Sequence, residues 1–167
     1  MRVLEIGGGI GAIQAELLDK GAERGEIVEL LSTYEPYARE LAAEKGLEER
    51  TSFRVADILE EPAVVEPADV VLLNRVICCT PDGIALTREA ARLTRRVLIL
   101  SFPRDTVWMR GGIRLMNVGF RIMGRSFRVF VHSHAAIREC AEAEGLRVAD
   151  GAAHSIAWEI VTFRRAA

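Results

Sequence analysis

Lysine is nearly absent from this chain: of its 22 basic residues, all but Lys20 and Lys45 are arginine. Cysteine is scarce as well, with only Cys78, Cys79 and Cys140. The number is odd, two of the three are adjacent, and no Cys-x-x-Cys spacing occurs. That excludes a disulfide framework and a zinc-finger pattern, and it predicts a reducing, cytoplasmic compartment. Charge of one sign is also lacking. Acidic residues number 24 and the formal net charge is −2, which argues against a dedicated nucleic-acid binder. No uncharged apolar run approaches the roughly 18 residues that a membrane span needs. The start, Met1-Arg2-Val3-Leu4-Glu5, does not read as a secretory signal. Repeats, low-complexity tracts and interdomain linkers are missing too. What remains is 167 residues, half of them hydrophobic, which suits one domain with a real core.

The order of apolar runs and glycines predicts βα alternation. Val3, Leu4 and Ile6 form a short strand. Ala12 to Lys20 has helical spacing and is closed by Gly21. Glu26 to Leu30 reads as a strand, Tyr34 to Lys45 as a helix ended by Gly46, and Thr51 to Val55 as a third strand. Asp69 to Leu73 is almost wholly apolar, as a buried parallel strand should be. Asp82 to Leu93 follows as a helix and Arg96 to Phe102 as a fifth strand. Arg104 to Arg125 is irregular. Phe127 to His132 then reads as a strand, Ala135 to Glu144 as a helix, and Arg147–Ala149 and Ala157–Arg164 as terminal strand material. Short connections between alternating strands and helices imply a parallel sheet covered on both faces.

The sharpest feature is Glu5-Ile6-Gly7-Gly8-Gly9-Ile10-Gly11. Glycines at alternate positions after a strand let the backbone turn tightly and approach a ligand without Cβ clashes. The following helix points its positive end at that ligand. Glu29 ends the second strand, where a carboxylate can accept both ribose hydroxyls of an adenosine. Two cofactors fit. Gly7-x-Gly9-x-x-Ala12 satisfies a dinucleotide fingerprint, and with it an NAD(P)-dependent oxidoreductase. Glu5-x-Gly7-x-Gly9-x-Gly11 satisfies an S-adenosylmethionine loop. Glu5 favours the second, because an acid there would repel a pyrophosphate but suit a cationic amino group. Asp57, just after the third strand, can accept a hydrogen bond from an adenine amino group.

On these residues the sequence resembles the class I S-adenosylmethionine-dependent methyltransferases, from Val3 to the terminal strands. The resemblance implies a Rossmann-like, doubly wound, mostly parallel seven-stranded sheet with an antiparallel terminal strand. It implies S-adenosylmethionine as methyl donor. Gly7, Gly8, Gly9 and Gly11 would line its methionine part, with Glu5 near the amino group. Glu29 would hold the ribose, Asp57 and the adjacent Ile58 the adenine, and Leu30 would pack on the adenine face. Asn74 would stand where donor and acceptor meet. Residues 1–103 would form a donor-binding half and 104–167 an acceptor-side half of a single domain. Family members usually carry a helical segment ahead of the glycine-loop strand, which here begins at the first residue. A truncated copy, a non-catalytic donor-binding remnant, an upstream start, or a homodimer or partner covering the donor site would each answer to that difference.

The run after the fourth strand, Asn74-Arg75-Val76-Ile77-Cys78-Cys79-Thr80-Pro81-Asp82, lacks the Asp/Asn-Pro-Pro-aromatic motif of enzymes that methylate nucleic-acid and protein amide nitrogens. A small-molecule acceptor is therefore expected, and no nucleic acid. Cys78 and Cys79 read as small buried hydrophobes rather than nucleophiles. Between Arg104 and Arg128 stand six arginines against the single acid Asp105. On a helical wheel Arg110, Arg114, Asn117, Arg121 and Arg125 fall within about 80°. Trp108, Ile113, Leu115, Met116, Val118, Phe120, Ile122 and Met123 supply an apolar body. Gly111, Gly112 and Gly119 suggest two helical pieces or a mobile lid.

That segment suits a solvated arginine face, a cap over an apolar anionic acceptor, or peripheral membrane contact through 104–128. Gly124 to His132 is loosely similar to the matching region of magnesium-protoporphyrin O-methyltransferases. The likeness supports an apolar acceptor with carboxylates rather than naming one. Methyl transfer depends chiefly on placement, but an oxygen acceptor gains from a base. His132 is the candidate base, with His134 beside it, and Asn74 and Arg104 are the other acceptor-side candidates. His154 reads as a loop residue. No metal is expected.

Overall fold

The computed structural model describes residues 1–149 and 153–166. In chain order the elements are β1 (Arg2–Ile6), α1 (Ala12–Asp19), β2 (Arg24–Glu29), α2 (Glu35–Glu44), β3 (Thr51–Val55), β4 (Ala68–Asn74), α3 (Gly83–Arg92) and β5 (Thr94–Pro103). They continue with α4 (Val107–Ile122), α5 (His134–Ala143), β6 (Leu146–Val148), β7 (Ala153–His154) and β8 (Trp158–Arg165).

The strands run β3-β2-β1-β4-β5-β8-β6 across one sheet, and the two-residue β7 pairs with β8 beside β6. Pairing is parallel from β3 through β5. β8 runs antiparallel to both β5 and the short β6, matching Val97 to Arg164 and Pro103 to Trp158 on β5. This is the expected Rossmann-like, mostly parallel seven-strand path with an antiparallel terminal strand. The chain order reverses at β1, so the carboxyl ends of β1 and β4 flank the crevice where such sheets bind ligands.

Alternation along the strands sends side chains to two cores. On one face Leu4, Val71, Leu98, Phe102, Val161 and Phe163 pack with Leu86 of α3 and Ile137 of α5. On the other, Val3 and Leu72 pack with Ala15 and Leu18 of α1 and Ala42 of α2. Each fully buried large apolar side chain contributes about 1.5–3 kcal/mol. The first core draws on both 1–103 and 104–167. Arg165, at the end of β8, fastens the two parts by donating to the carbonyls of Ala91 and Glu144, each at 2.9 Å.

Four expectations fail in the second half. Residues 107–122 form one continuous helix, not an irregular stretch or two pieces. Its three glycines cost about 1 kcal/mol each relative to alanine, but each has open space around it, so none forces a break. Phe127 to His132 is no strand, despite its alternating pattern. The edge of β5 it would need is occupied by β8. Its backbone is satisfied instead by side chain and turn: Asn117 clasps Val129 in both directions, at 2.7 and 3.0 Å, and Phe130 N–H donates to Cys78 O at 2.8 Å. Asn117 thus leaves the cationic stripe expected of it. His154 falls in β7 rather than a loop.

Candidate functional site

The turn after β1 holds three glycines in the left-handed region: Gly7 at φ +67°, Gly9 at +56° and Gly11 at +78°. Three of the loop glycines are also packed against protein. A Cβ on Gly7 would meet Val76 at 2.6 Å, on Gly8 Glu5 Cγ at 2.6 Å, and on Gly11 Ile27 Cδ1 at 2.3 Å. Gly9 differs. A Cβ there would meet nothing closer than the Tyr34 ring at 3.9 Å, so the space beside it is open. Gly7 N–H bonds Val28 O at 2.7 Å, which seats the loop on β2, and Gly11 directly precedes α1.

Glu29, the last residue of β2, closes on this loop. One carboxylate oxygen accepts Gly9 N–H at 3.1 Å, and the other accepts Leu30 N–H at 2.9 Å and Leu31 N–H at 3.3 Å. The two motifs singled out in the sequence therefore meet in space. Leu30 is 62% exposed and free to cover a flat ring. Tyr34, beside Gly9, belongs to the same rim and carried no sequence signal beyond following β2.

Glu5 lies beneath the loop rather than in it. It is 2% exposed and accepts the backbone N–H of Gln14 at 3.1 Å. Burial pushes its carboxyl up to about 7, against the lowering effect of that hydrogen bond. At neutral pH it therefore carries only part of a charge. Asp57 uses one oxygen to accept Leu59 N–H at 2.8 Å and so shapes the turn after β3. The Ile58 side chain is 3% exposed and belongs to the core, which leaves only its backbone to face a ligand.

At the end of β4, Asn74 is exposed and its Oδ1 accepts the Ser101 hydroxyl at 2.9 Å. Arg75 follows at φ +61°, the left-handed region, and is the sole non-glycine there among the described residues. Its N–H reaches Ser101 Oγ at 3.2 Å, and its guanidinium lies 4.7 Å from the Trp158 ring centroid. Strained backbone of this kind costs about 1–3 kcal/mol and gathers at functional sites. Sequence reading passed over Arg75 because nothing in its neighbours announces a positive φ.

The cysteine pair sits in the next turn. Cys78 is buried, but Cys79 is exposed, contrary to the reading of both as buried hydrophobes. Their sulfurs are 3.9 Å apart. A hydrogen bond from Cys78 brings the Cys79 thiol down to about 7, and that contact with burial pushes Cys78 up.

Both histidines are held by backbone carbonyls. His132 Nε2 lies 3.0 Å from both Ile77 O and Thr80 O. Carbonyls only accept, so that nitrogen carries the proton, and the lone pair of the neutral ring is on Nδ1. His132 is a latch holding 127–132 to the Cys78 turn. His134 Nε2 likewise donates to Pro103 O at 3.0 Å, and its Nδ1 lies 3.0 Å from Glu159. Arg104 anchors the chain leaving β5 by donating its backbone N–H to Ala157 O at 2.9 Å. No cluster of three or more metal-binding side chains occurs among the described residues.

Residues 4–100 match a family described as "Methyltransferase domain". Among curated proteins none matches the chain. Solved structures do. A magnesium protoporphyrin IX methyltransferase from Synechocystis PCC 6803, with bound SAH, superimposes with a TM-score of 0.77 at 23% identity, covering 98% of this chain and 73% of that one. An O-methyltransferase family 2 protein from Planctomyces limnophilus DSM 3776, in complex with apigenin, gives 0.77 at 20% identity over 99% of this chain and 50% of its own. Mitomycin 7-O-methyltransferase gives 0.72 at 25% identity, over 99% and 49%. The chain thus spans about half the length of the latter two.

Proposed function

The chain belongs to the methyltransferase domain family, and on that premise we propose that it moves a methyl group from S-adenosylmethionine to a small, apolar, anionic acceptor. The observation that carries the donor half is the meeting of the Gly9 backbone with the Glu29 carboxylate at 3.1 Å. An open space beside Gly9, walled by an acid and an exposed Leu30, has the chemistry an adenosine requires: acceptors for ribose hydroxyls and an apolar surface for a ring.

The donor's sulfonium supplies an already activated methyl group. The chain's own residues then have to bind and align. Glu29 would take the ribose hydroxyls, Leu30 would cover one face of the adenine, and Asp57 would offer its second oxygen to the adenine amino group. Gly7, Gly9 and Gly11 would let the backbone approach the methionine portion. Glu5 would act from beneath, by fixing the N-terminus of α1 through Gln14.

On the acceptor side Asn74 and Arg104 remain the candidates, at the carboxyl ends of β4 and β5. With both His134 nitrogens engaged and only Nδ1 of His132 left with a lone pair, an acceptor that is already ionised asks least of these side chains. A carboxylate meets that condition at neutral pH, and an arginine is its natural partner. Orienting two reactants in line supplies most of the rate in such a reaction.

The test is transfer of labelled methyl from S-adenosylmethionine into apolar carboxylic acids, including aromatic and tetrapyrrole carboxylates. Label released from the product by mild base identifies a methyl ester and supports the reading. Donor binding with transfer only to amines or thiols contradicts the anionic-oxygen acceptor.

A further inference from the structure

α4 buries none of its residues: every position from Val107 to Ile122 is exposed or half-exposed. Apart from Gly119, its half-covered residues form one stripe of Met109, Ile113, Asn117 and Phe120. That stripe faces the body through the Asn117–Val129 hydrogen bonds and through Phe120, whose ring lies 5.9 Å from Phe127. The opposite side looks into solvent, with Val107 89%, Ile122 81%, Leu115 73%, Trp108 54% and Val118 53% exposed. At 100° per residue these five, with Gly111, Gly112 and Gly119, fill a sector of about 140° that holds no charged side chain. Arg110, Arg114 and Arg121 border that sector on one side. Large exposed apolar patches on soluble proteins mark interaction surfaces.

Charge decides what fits there. Arg110 pairs with Asp105, but Arg114, Arg121 and Arg125 meet no carboxylate among the described residues. No acid occurs between Val107 and Arg128. A two-fold contact of α4 with its own copy would therefore bury the apolar face but offer those arginines nothing. An anionic phospholipid surface answers both demands, with an apolar boundary for the outward face and phosphates for the guanidiniums. The helix has 16 residues, and no helix of the described residues is long and apolar enough to cross a membrane.

We propose that α4 is a membrane-surface helix. Trp108, Leu115, Val118 and Ile122 enter the outer edge of an anionic leaflet, and Arg114, Arg121 and Arg125 bind lipid phosphates. The helix starts just past β5, whose carboxyl end borders the site, so the lipid surface lies on the acceptor side of the sheet. The proposal stands on α4 and on Arg125 just beyond it, and does not require methyl transfer.

The test is sedimentation of the full chain with vesicles of phosphatidylcholine alone and of phosphatidylcholine with one-third phosphatidylglycerol. Binding to the mixed vesicles, at least tenfold weaker to the neutral ones and weakened by salt, is expected. Leu115→Glu should abolish it with an unchanged circular dichroism spectrum, because the side chain is already in water. The double change Arg114→Gln, Arg121→Gln should remove most of the salt dependence. Failure to bind mixed vesicles overturns the proposal. So does a dimer in sedimentation velocity that Leu115→Glu dissolves while the wild type ignores lipid, since a second copy would then be the occupant.

Discussion

The backbone N–H of Gly9 and the carboxylate of Glu29 are joined by a hydrogen bond of 3.1 Å, although twenty residues separate them in the chain. The bond couples the glycine loop to the rim of β2, so a ligand touching either one feels both. Glu29 also holds Leu30 and Leu31 through their N–H groups.

Replacing Glu29 with glutamine should weaken S-adenosylhomocysteine binding by roughly 10- to 100-fold, the worth of one to two hydrogen bonds to a charged group. Calorimetric titration measures it, with circular dichroism to confirm the fold. An affinity within twofold of wild type would remove the ribose role from Glu29.

Gly11→Ala should destabilise the protein by at least about 2 kcal/mol. The left-handed φ of +78° costs an alanine about 1–2 kcal/mol, and its Cβ would stand 2.3 Å from Ile27 Cδ1. Gly46→Ala, at φ +64° with open surroundings, should cost only the backbone share. Urea denaturation of the two variants separates strain from collision, and equal losses would contradict the packing described.

Stability should fall as pH rises from about 4.5 to about 7 through Glu5. Its folded carboxyl sits at about 7 against an ordinary 4.5, so the native state binds the proton more tightly than the unfolded one. The contribution is fully present below 4.5 and gone above 7, and amounts to at most about 3 kcal/mol. Glu5→Gln should flatten that part of the profile. If wild type and variant show parallel profiles over this range, Glu5 is not buried as described.

Cys79 should alkylate faster than Cys78 or Cys140, with a midpoint near pH 7. Cys78→Ala removes the hydrogen bond that stabilises the thiolate, so the midpoint should move toward the ordinary thiol value near 9. Iodoacetamide kinetics followed by peptide mass spectrometry reads both. An unchanged midpoint in the variant would dissociate the two sulfurs.

The first half of the molecule is legible in the sequence because its signals are local. Glycines that need positive φ, apolar runs, and an acid at a strand end each carry their own physics. The second half depends on competition between segments. Phe127 to His132 has the pattern of a strand, but β4 and β8 fill both edges of β5, and Asn117 captures Val129 instead. His132 reads as an acceptor-side residue, and the sequence does not show that its Nε2 is held by two carbonyls in a turn some fifty residues earlier. Glu5 illustrates the limit at the donor site. Its position two residues before Gly7 was readable, but its orientation beneath Gly8 was not, and the repulsion it would exert on a pyrophosphate is weakened by its partial protonation. Arg75 shows the same limit, since a left-handed arginine has no signature in one sequence.

The most direct test of the account is calorimetric titration of the purified chain with S-adenosylhomocysteine, with NAD in parallel. Saturable one-site binding of S-adenosylhomocysteine in the micromolar range, with no heat from NAD, is the predicted result. Binding of NAD alone would contradict the donor site built from Gly9 and Glu29, and with it the proposed reaction.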